Sequence, residues 1–161
     1  MKNKTFSSPN PLVQYLQKEP KNFTKADIIK YIVENGVEIL NFRYSGADGR
    51  LKTLNFVIYD ENQLDEILSS GERVDGSSLF PYIEAGNSDL YVIPRFKTAF
   101  VNPFSQIPTI DILCAFYDKN GDPFDGSPAY TLQKAHDTLK QKTGLEFEVM
   151  GELEYYVISE K

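Results

Sequence analysis

The stretch ILNFRYSGADGRLKTLNFVI, residues 39–58, carries two alternating runs of side chains on either side of a polar turn. In the first run, Leu40, Phe42 and Tyr44 occupy one phase, and Asn41 belongs to the other. Successive side chains of a β-strand point to opposite faces, so a period of two is typical of a half-buried strand. The turn between the runs is rich in Ser, Gly and Asp, which favour reversals of the chain. The stretch therefore predicts a β-hairpin.

Helical periodicity precedes the hairpin. A short apolar stripe that begins after Pro11 and ends at Pro20 predicts one short helix. Thr24 then stands three residues before Asp27, which is a variant of the capping box at a helix N-terminus. Apolar residues recur at helical spacing after it until a glycine is reached, so we expect a helix over residues 25–35.

Shorter elements are expected after the hairpin. Residues 62–68 have the apolar spacing of a short helix, which a glycine closes. The segment 72–108 is rich in Gly, Ser, Asn and Pro and contains two short apolar runs, at residues 90–93 and 98–101. We interpret this segment as loops that frame two short strands.

The last third of the sequence predicts three further elements. Residues 110–117 alternate and are apolar in both phases, which indicates a strand in the centre of its sheet. Ser127 followed by proline is a helix start signal, and the helix is expected to continue to about Lys142. Residues 145–158 again alternate, and we expect one more strand there.

Length and charge narrow the possible functions. A chain of 161 residues corresponds to about one domain. It carries 17 basic and 23 acidic residues, a formal net charge of −6, so duplex nucleic acid and anionic membrane surfaces are poor partners. Its first residues contain no apolar signal region, and no apolar run approaches the ~18 residues that span a bilayer. We expect a cytoplasmic protein with no nucleic-acid or membrane partner.

Several catalytic signatures are absent from the sequence. It contains no phosphate-binding P-loop, no dinucleotide-binding glycine motif and no His-Glu-x-x-His zinc motif. Cys114, the only cysteine, lies in an apolar strand and is interpreted as a small core residue. His136, the only histidine, lies on the apolar stripe of the last helix, where a half-buried structural role is the simpler interpretation.

Glu152 and Glu154 form the first candidate site. One residue separates them, so in a strand both carboxylates would face the same side. Paired carboxylates are suitable ligands for Mg²⁺ or Mn²⁺, although two of them supply only part of a coordination shell. The alternative is a solvated strand face, since Glu146 and Glu148 stand in the same phase.

The second candidate is the loop Val74-Asp75-Gly76-Ser77-Ser78 in the glycine-rich middle of the chain. An aspartate with two neighbouring hydroxyl groups can bind a small cation or act as a base. The alternative is an ordinary Asp-Gly turn, and the sequence offers a comparison at residues 125–127, where Asp-Gly-Ser precedes the last helix.

The order of these motifs resembles one known family. Residues 74–79 (VDGSSL), 87–94 (NSDLYVIP) and 98–104 (TAFVNPF) are similar to the N-terminal part of bacterial-type glutamine synthetase. The segment GELEYY at residues 151–156 resembles the Gly-x-Glu-x-Glu-aromatic sequence on the first strand of that family's catalytic domain, and the hairpin resembles its first two strands. The resemblance covers about residues 37–160.

The resemblance implies an α+β fold: a β-grasp-like N-terminal domain followed by the first strand-helix-strand elements of a glutamine synthetase catalytic domain. The domain boundaries expected from it are an N-terminal helical segment at residues 1–36, a β-grasp domain at 37–122 and the beginning of a truncated catalytic domain at 123–161. The implied reaction makes glutamine from glutamate and ammonia at the expense of ATP. The implied assembly is a homo-oligomer whose active site is shared between neighbouring subunits.

The resemblance also implies roles for particular residues. Asp75 corresponds to the aspartate that binds ammonium and removes its proton in the site of a neighbouring subunit, with Ser78 supporting the loop. Glu152 and Glu154 correspond to the first ligands of two divalent ions, Mg²⁺ or Mn²⁺. The nucleotide and glutamate sites and the other metal ligands of the family lie beyond residue 161, so the chain alone is expected to be inactive.

The chain departs from the family after the Asp-Gly-Ser-Ser motif. The family usually has a glycine and then Glu-Ser-Asp, whereas residues 79–85 read LFPYIEA and Asn87 replaces the glutamate. A rival interpretation is a non-catalytic β-grasp module that docks to a partner or regulates one, and that retains Asp75 and Glu152 by ancestry alone.

Overall fold

An apolar strand lies in the middle of the sheet in the computed structural model, which describes residues 8–84, 86 and 88–159. Within those residues, six strands form one mixed sheet: β1 (Ile39–Ser45), β2 (Leu51–Val57), β3 (Glu72–Asp75), β4 (Asp89–Pro94), β5 (Phe100–Val101) and β6 (Thr109–Tyr117). Their order is β2-β1-β6-β4-β3, and β5 pairs additionally with β6. β1 and β6 are parallel, and the other pairs are antiparallel.

The helices begin where the sequence offers a side-chain cap. They are α1 (Pro11–Leu16), α2 (Lys25–Glu34), α3 (Glu61–Ser70) and α4 (Pro128–Thr143), and short 3₁₀ turns lie at Pro20–Asn22, Gly76–Ser78 and Phe96–Thr98. At the start of α2, the Thr24 hydroxyl accepts from the Asp27 amide, and the Asp27 carboxylate accepts from the Thr24 amide at 3.0 Å. Asp60 caps α3 by accepting from the Gln63 amide at 2.8 Å. These bonds satisfy amides that a helix N-terminus leaves without partners.

One face of the sheet carries the core. Apolar side chains of β1 and β6 meet those of α2 and α3 with almost no solvent exposure, among them Leu40, Phe42, Ile110, Ile112, Ile28, Ile32, Leu64 and Leu68. Burying a side chain of this size stabilises a fold by about 1.5–3 kcal/mol. The core therefore fixes which face of each strand points inward.

Most of the predicted elements are confirmed. The hairpin pairs Phe42 with Leu54 and Ile39 with Val57, β6 is central, and the predicted helices are present. The prediction that residues 72–75 form a loop is wrong, because they form β3. β3 is a short edge strand in which three of four residues are charged, and it pairs only with β4 among the described strands. Its local sequence pattern does not show this long-range pairing.

The strand predicted at residues 145–158 is not formed. Residues 145–159 form neither helix nor strand, and their side chains are exposed. A strand is held by hydrogen bonds to a neighbouring strand, and none of the described strands pairs with this segment. Alternation in the sequence is therefore insufficient to form a strand here.

The chain separates into two compact units, the first ending at Thr131 and the second beginning at Leu132. The first contains the whole sheet and its core. The second contains most of α4, in which His136 is half-buried, Leu132 is 69% exposed and Gly144 closes the helix. In the described part of the chain, no helix is long and apolar enough to cross a membrane.

Candidate functional site

Asp75 is the last residue of β3 and the cap of the 3₁₀ turn that follows it. Its Oδ1 accepts two hydrogen bonds from Ser77, one from the amide at 3.0 Å and one from the hydroxyl at 2.7 Å. The Ser78 hydroxyl donates instead to the main-chain carbonyl of Asp75, at 2.7 Å. The two serines thus differ in function: Ser77 holds the carboxylate, whereas Ser78 holds the backbone of the turn.

Glycine is required at position 76 by a close approach of two backbones. The Gly76 amide donates to the Ser88 carbonyl at 2.7 Å. A Cβ atom at this position would lie 2.7 Å from the Ser88 carbonyl oxygen and 2.8 Å from Cδ1 of Leu90. Because real Cβ contacts are longer than this, only glycine lets the turn lie directly against the segment that leads into β4.

The turn is anchored in the core by an aromatic cluster. Phe80 is completely buried. Its ring packs against the rings of Phe116, Phe124 and Tyr82, with centroids 5.1, 5.0 and 5.9 Å away respectively. Phe80 and Tyr82 belong to the segment that departs from the resembled family, so the departure supplies packing for the loop. Asn87, the other departure, lies outside the described residues.

The carboxylate of Asp75 is exposed and favours its charged form. The Ser77 hydroxyl, the Ser88 hydroxyl and the Ser77 amide, in that order, hold the pKa of Asp75 below its ordinary value. Opposite it on β4 stands Asp89, which pairs with the Arg73 guanidinium at 3.3 Å. A charged carboxylate that is open to solvent and fixed on a rigid turn can bind a small cation.

Asp89 also lines an open cleft of about 530 Å³ at the same edge of the sheet. Tyr82 and Phe124 form an aromatic wall of this cleft, with their rings stacked at 6.5 Å between centroids. Glu84 and Asp118 add negative charge, which exceeds the single positive charge of Lys119. The edge of the sheet near Asp75 therefore presents an acidic, partly aromatic concave surface.

The similar motif at residues 125–127 is used differently. A Cβ at Gly126 would lie 2.6 Å from both the Phe124 ring and the Tyr82 hydroxyl, and that hydroxyl donates to the Gly126 carbonyl at 2.7 Å. Ser127 is only 3% exposed. This turn packs against the aromatic cluster, as its structural interpretation predicts.

Glu152 and Glu154 lie in the exposed segment that forms neither helix nor strand. Their carboxylates are chemically suitable for a hard divalent cation, which prefers oxygen ligands. Across the part of the chain that the structure describes, no three or more His, Cys, Asp or Glu side chains converge into a metal site. The carboxylate oxygens of the two glutamates are therefore suitable ligands for such an ion, but two residues supply too few ligands to complete its coordination shell.

A buried polar network on the other face of the sheet was not predicted. Asp111, 1% exposed, receives hydrogen bonds from Arg43 Nε at 2.7 Å and from the side-chain Nδ2 of Asn41 at 2.8 Å. Arg43 also pairs with it through Nη2 at 2.7 Å, and Asn102 donates to it at 3.2 Å. The signal in the sequence is an aspartate within an otherwise apolar run, opposite the polar phase of β1.

Cys114 is a core residue, as predicted. It is 6% exposed, and burial raises the pKa of its thiol, which keeps the thiol protonated. A protonated thiol is a poor nucleophile.

Comparison with known proteins gives consistent results. The profile of the family described as "Glutamine synthetase, beta-Grasp domain" matches residues 36–119. The glutamine synthetase of Clostridium saccharobutylicum is 30% identical over 137 residues, which cover 84% of this chain and 30% of that protein. The glutamine synthetase of Methanococcus maripaludis is 28% identical over 138 residues, covering 82% and 31% respectively.

The fold is also similar to that of glutamine synthetases of known structure. The cryo-EM structure of Plasmodium falciparum glutamine synthetase matches 74% of this chain and 23% of that chain, with a TM-score of 0.63 at 22% identity. The α+β fold with a β-grasp domain is thereby confirmed. The chain spans about a third of the length of the curated relatives it matches.

Proposed function

This chain belongs to the glutamine synthetase family through its β-grasp domain, and on that premise we propose that it is the N-terminal portion of an enzyme that makes glutamine from glutamate, ammonia and ATP. The observation that carries the proposal is the position of the Asp-Gly-Ser-Ser loop. It lies inside the matched region, and Asp75 is held there as an exposed, charged carboxylate on a rigid turn.

In the proposed assembly, Asp75 binds ammonium in the active site of a neighbouring subunit of a homo-oligomer. A carboxylate attracts the cation by its charge and can accept a proton from it, which leaves ammonia free to attack an acyl phosphate. Because the pKa of Asp75 lies below its ordinary value, its carboxylate is a weak base. We therefore assign the larger part of its contribution to binding and orienting ammonium.

Ser78 supports this role through the backbone, since its hydroxyl bonds to the Asp75 carbonyl. Asp75 Oδ1 is occupied by two bonds from Ser77, and this fixes the direction in which the rest of the carboxylate is presented. The turn is thus suited to hold an ammonium site in place while another subunit supplies the remaining groups.

Glu152 and Glu154 are proposed as the first ligands of two divalent ions, Mg²⁺ or Mn²⁺. Such ions spread the charge of a phosphoryl group during its transfer. Two glutamates leave most coordination positions to water or to other parts of the enzyme. ATP is proposed to bind mainly outside this chain. We also propose that the β-grasp domain extends from residue 37 to residue 122 and that the catalytic domain begins at residue 123.

The second candidate function is a non-catalytic β-grasp module that docks to a partner or regulates one. It is favoured by the departure from the family sequence directly after the Asp-Gly-Ser-Ser motif, where residues 79–85 read LFPYIEA. In that case, Asp75 and Glu152 would have no catalytic role.

Assays of two proteins separate the candidates: the 161-residue chain, and the product of the natural reading frame that contains it. We expect ATP-dependent glutamine formation from the longer product, and none from the chain, which should bind Mn²⁺ only weakly by calorimetry. Glu154→Gln in the longer product should first impair phosphoryl transfer, seen as loss of the acyl-phosphate intermediate. Absence of glutamine formation from every protein that contains this chain would favour the regulatory module.

A further inference from the structure

The backbone of Arg95 is held by hydrogen bonds, whereas its guanidinium group is not. Its amide donates to the Leu113 carbonyl at 2.9 Å, and its carbonyl accepts from the Thr98 amide at 2.8 Å and the Thr98 hydroxyl at 2.7 Å. The side chain is half-buried, yet it makes no hydrogen bond or ion pair with any residue that the structure describes. The five N–H donors of the guanidinium group therefore have no acceptor among the described residues, while the backbone that carries them is held in place.

Arg43, on strand β1, shows the contrasting situation. Its Nε and Nη2 both contact the Asp111 carboxylate at 2.7 Å, and its Nη1 donates to Thr53 at 2.6 Å. Its charge is thus neutralised within the fold. Within the described ranges 8–84, 86 and 88–159, the positive charge of Arg95 has no such counterpart, although the chain as a whole is acidic, with a formal net charge of −6.

A pocket lies where the pairing of two strands ends. β1 and β6 pair in parallel as far as Arg43 and Leu113. The pocket has a volume of about 100 Å³, and its walls include Arg95, Arg43, Ser45 and Ser127. At about 30 Å³ for each water, this is the space of roughly three waters, or of one small oxyanion.

We propose that this pocket binds a small oxyanion, a carboxylate or phosphate group, through the guanidinium of Arg95. The planar fork of an arginine pairs with two oxygens of such a group, and a half-buried location strengthens the charge-assisted hydrogen bonds. The anchored backbone lowers the entropic cost of binding, because the root of the side chain is already fixed. The proposal is independent of the proposed function, since it uses neither Asp75 nor the two glutamates.

Nuclear magnetic resonance of the full 161-residue chain, with ¹⁵N-labelled arginine, tests this site through the Nε–Hε signals. Sodium phosphate and sodium acetate are titrated separately at constant ionic strength, with sodium chloride as the reference. We expect the Arg95 signal to shift and saturate with a dissociation constant on the order of 1 mM. Saturation by phosphate alone or by acetate alone identifies the group that the pocket accepts, and either result supports the proposal.

Variants make the assignment specific. In the wild type, we expect the backbone amide signal of Leu113 to shift together with that of Arg95. Arg95→Gln should abolish this Leu113 shift. Arg95→Lys should weaken anion binding by roughly tenfold, because lysine lacks the planar guanidinium group. Arg50→Gln is the matched control, because it removes the same charge from an exposed turn and should leave binding unchanged. The proposal is overturned if neither phosphate nor acetate saturates the shift of the Arg95 signal, if chloride produces the same shift, or if Arg95→Gln leaves the Leu113 response intact.

Discussion

Ser77 makes the largest contribution to the lowered pKa of Asp75, through two hydrogen bonds to a single carboxylate oxygen at 3.0 and 2.7 Å, and the Ser88 hydroxyl adds to it. Each bond stabilises the charged form more than the protonated one, because only the carboxylate is a full acceptor. Ser78 is the natural comparison, since it has the same hydroxyl group one residue further along but bonds to the backbone.

We predict that Ser77→Ala raises the pKa of Asp75 towards its ordinary value of about 3.9. Ser78→Ala should change it much less. The carboxyl ¹³C shift of Asp75, followed by nuclear magnetic resonance as the pH is lowered, measures both. Equal shifts in the two variants would show that the contacts of Oδ1 do not control this group.

The sequence alone could not separate Asp75 from Asp125, because both stand in Asp-Gly-Ser. The distinguishing contacts are tertiary, with Ser88 in one turn and with the Tyr82–Phe124 ring pair in the other. Gly76 lies against Ser88, whereas Gly126 lies against the ring of Phe124 and the hydroxyl of Tyr82. The candidate loop was identified by its resemblance to a family, and its geometry required the structure.

Helix α2 shows what local pattern does predict. Its capping box involves residues three apart, so the spacing of Thr24 and Asp27 suffices to place the helix start. Burial opposes ionisation of Asp27, but the Lys18 ammonium at 2.6 Å and the hydrogen bonds from Thr24 outweigh it. The pKa of Asp27 consequently lies below its ordinary value.

We predict that Thr24→Ala lowers the free energy of unfolding by about 1 kcal/mol, and that Thr24→Ser has little effect because it keeps the hydroxyl. Urea denaturation followed by circular dichroism measures both. Since the folded-state pKa of Asp27 is lowered, its contribution is complete above about pH 5 and is lost as the pH falls through that pKa. A Thr24→Ala effect equal to that of Thr24→Ser would contradict the capping role.

The polar network around Asp111 joins elements that are far apart in the sequence. Asn41 and Arg43 come from β1, Asn102 follows β5, and Asp111 lies in β6. Alternation indicated that β1 has a polar face, but the parallel pairing with β6 that brings these groups together is a tertiary feature. This is why the network was missed.

We predict that Asp111→Asn lowers the free energy of unfolding by about 2–3 kcal/mol, because it leaves the Arg43 charge without its partner. The value is below that of a fully buried pair, since the Arg43 side chain is 25% exposed. Asp137→Asn, an exposed substitution on α4, is the control and should change stability by less than about 0.5 kcal/mol. Urea denaturation that finds the two variants equal would contradict this role for the network.

At the scale of the whole molecule, the hydrophobic pattern and the family resemblance contributed different information. Periodicity predicted the hairpin, the helices and the central strand, because burial acts on each element separately. It failed at residues 145–158, where alternation is present but no described strand offers a pairing edge. Resemblance alone related Asp75 to Glu152 and Glu154, which lie in different units of the chain.

We propose above all that the Asp75 loop binds ammonium in a glutamine synthetase. The most direct test is the ammonium dependence of glutamine formation by Asp75→Asn, in the longest natural protein that contains this chain. Asp125→Asn is the matched control, since it makes the same change in the other Asp-Gly-Ser turn. We predict that Asp75→Asn lowers kcat/KM for ammonium by ~10² to 10⁴, while formation of the acyl-phosphate intermediate is much less affected and Asp125→Asn remains close to wild type. An unchanged ammonium dependence in Asp75→Asn, or an equal loss in Asp125→Asn, would contradict the claim.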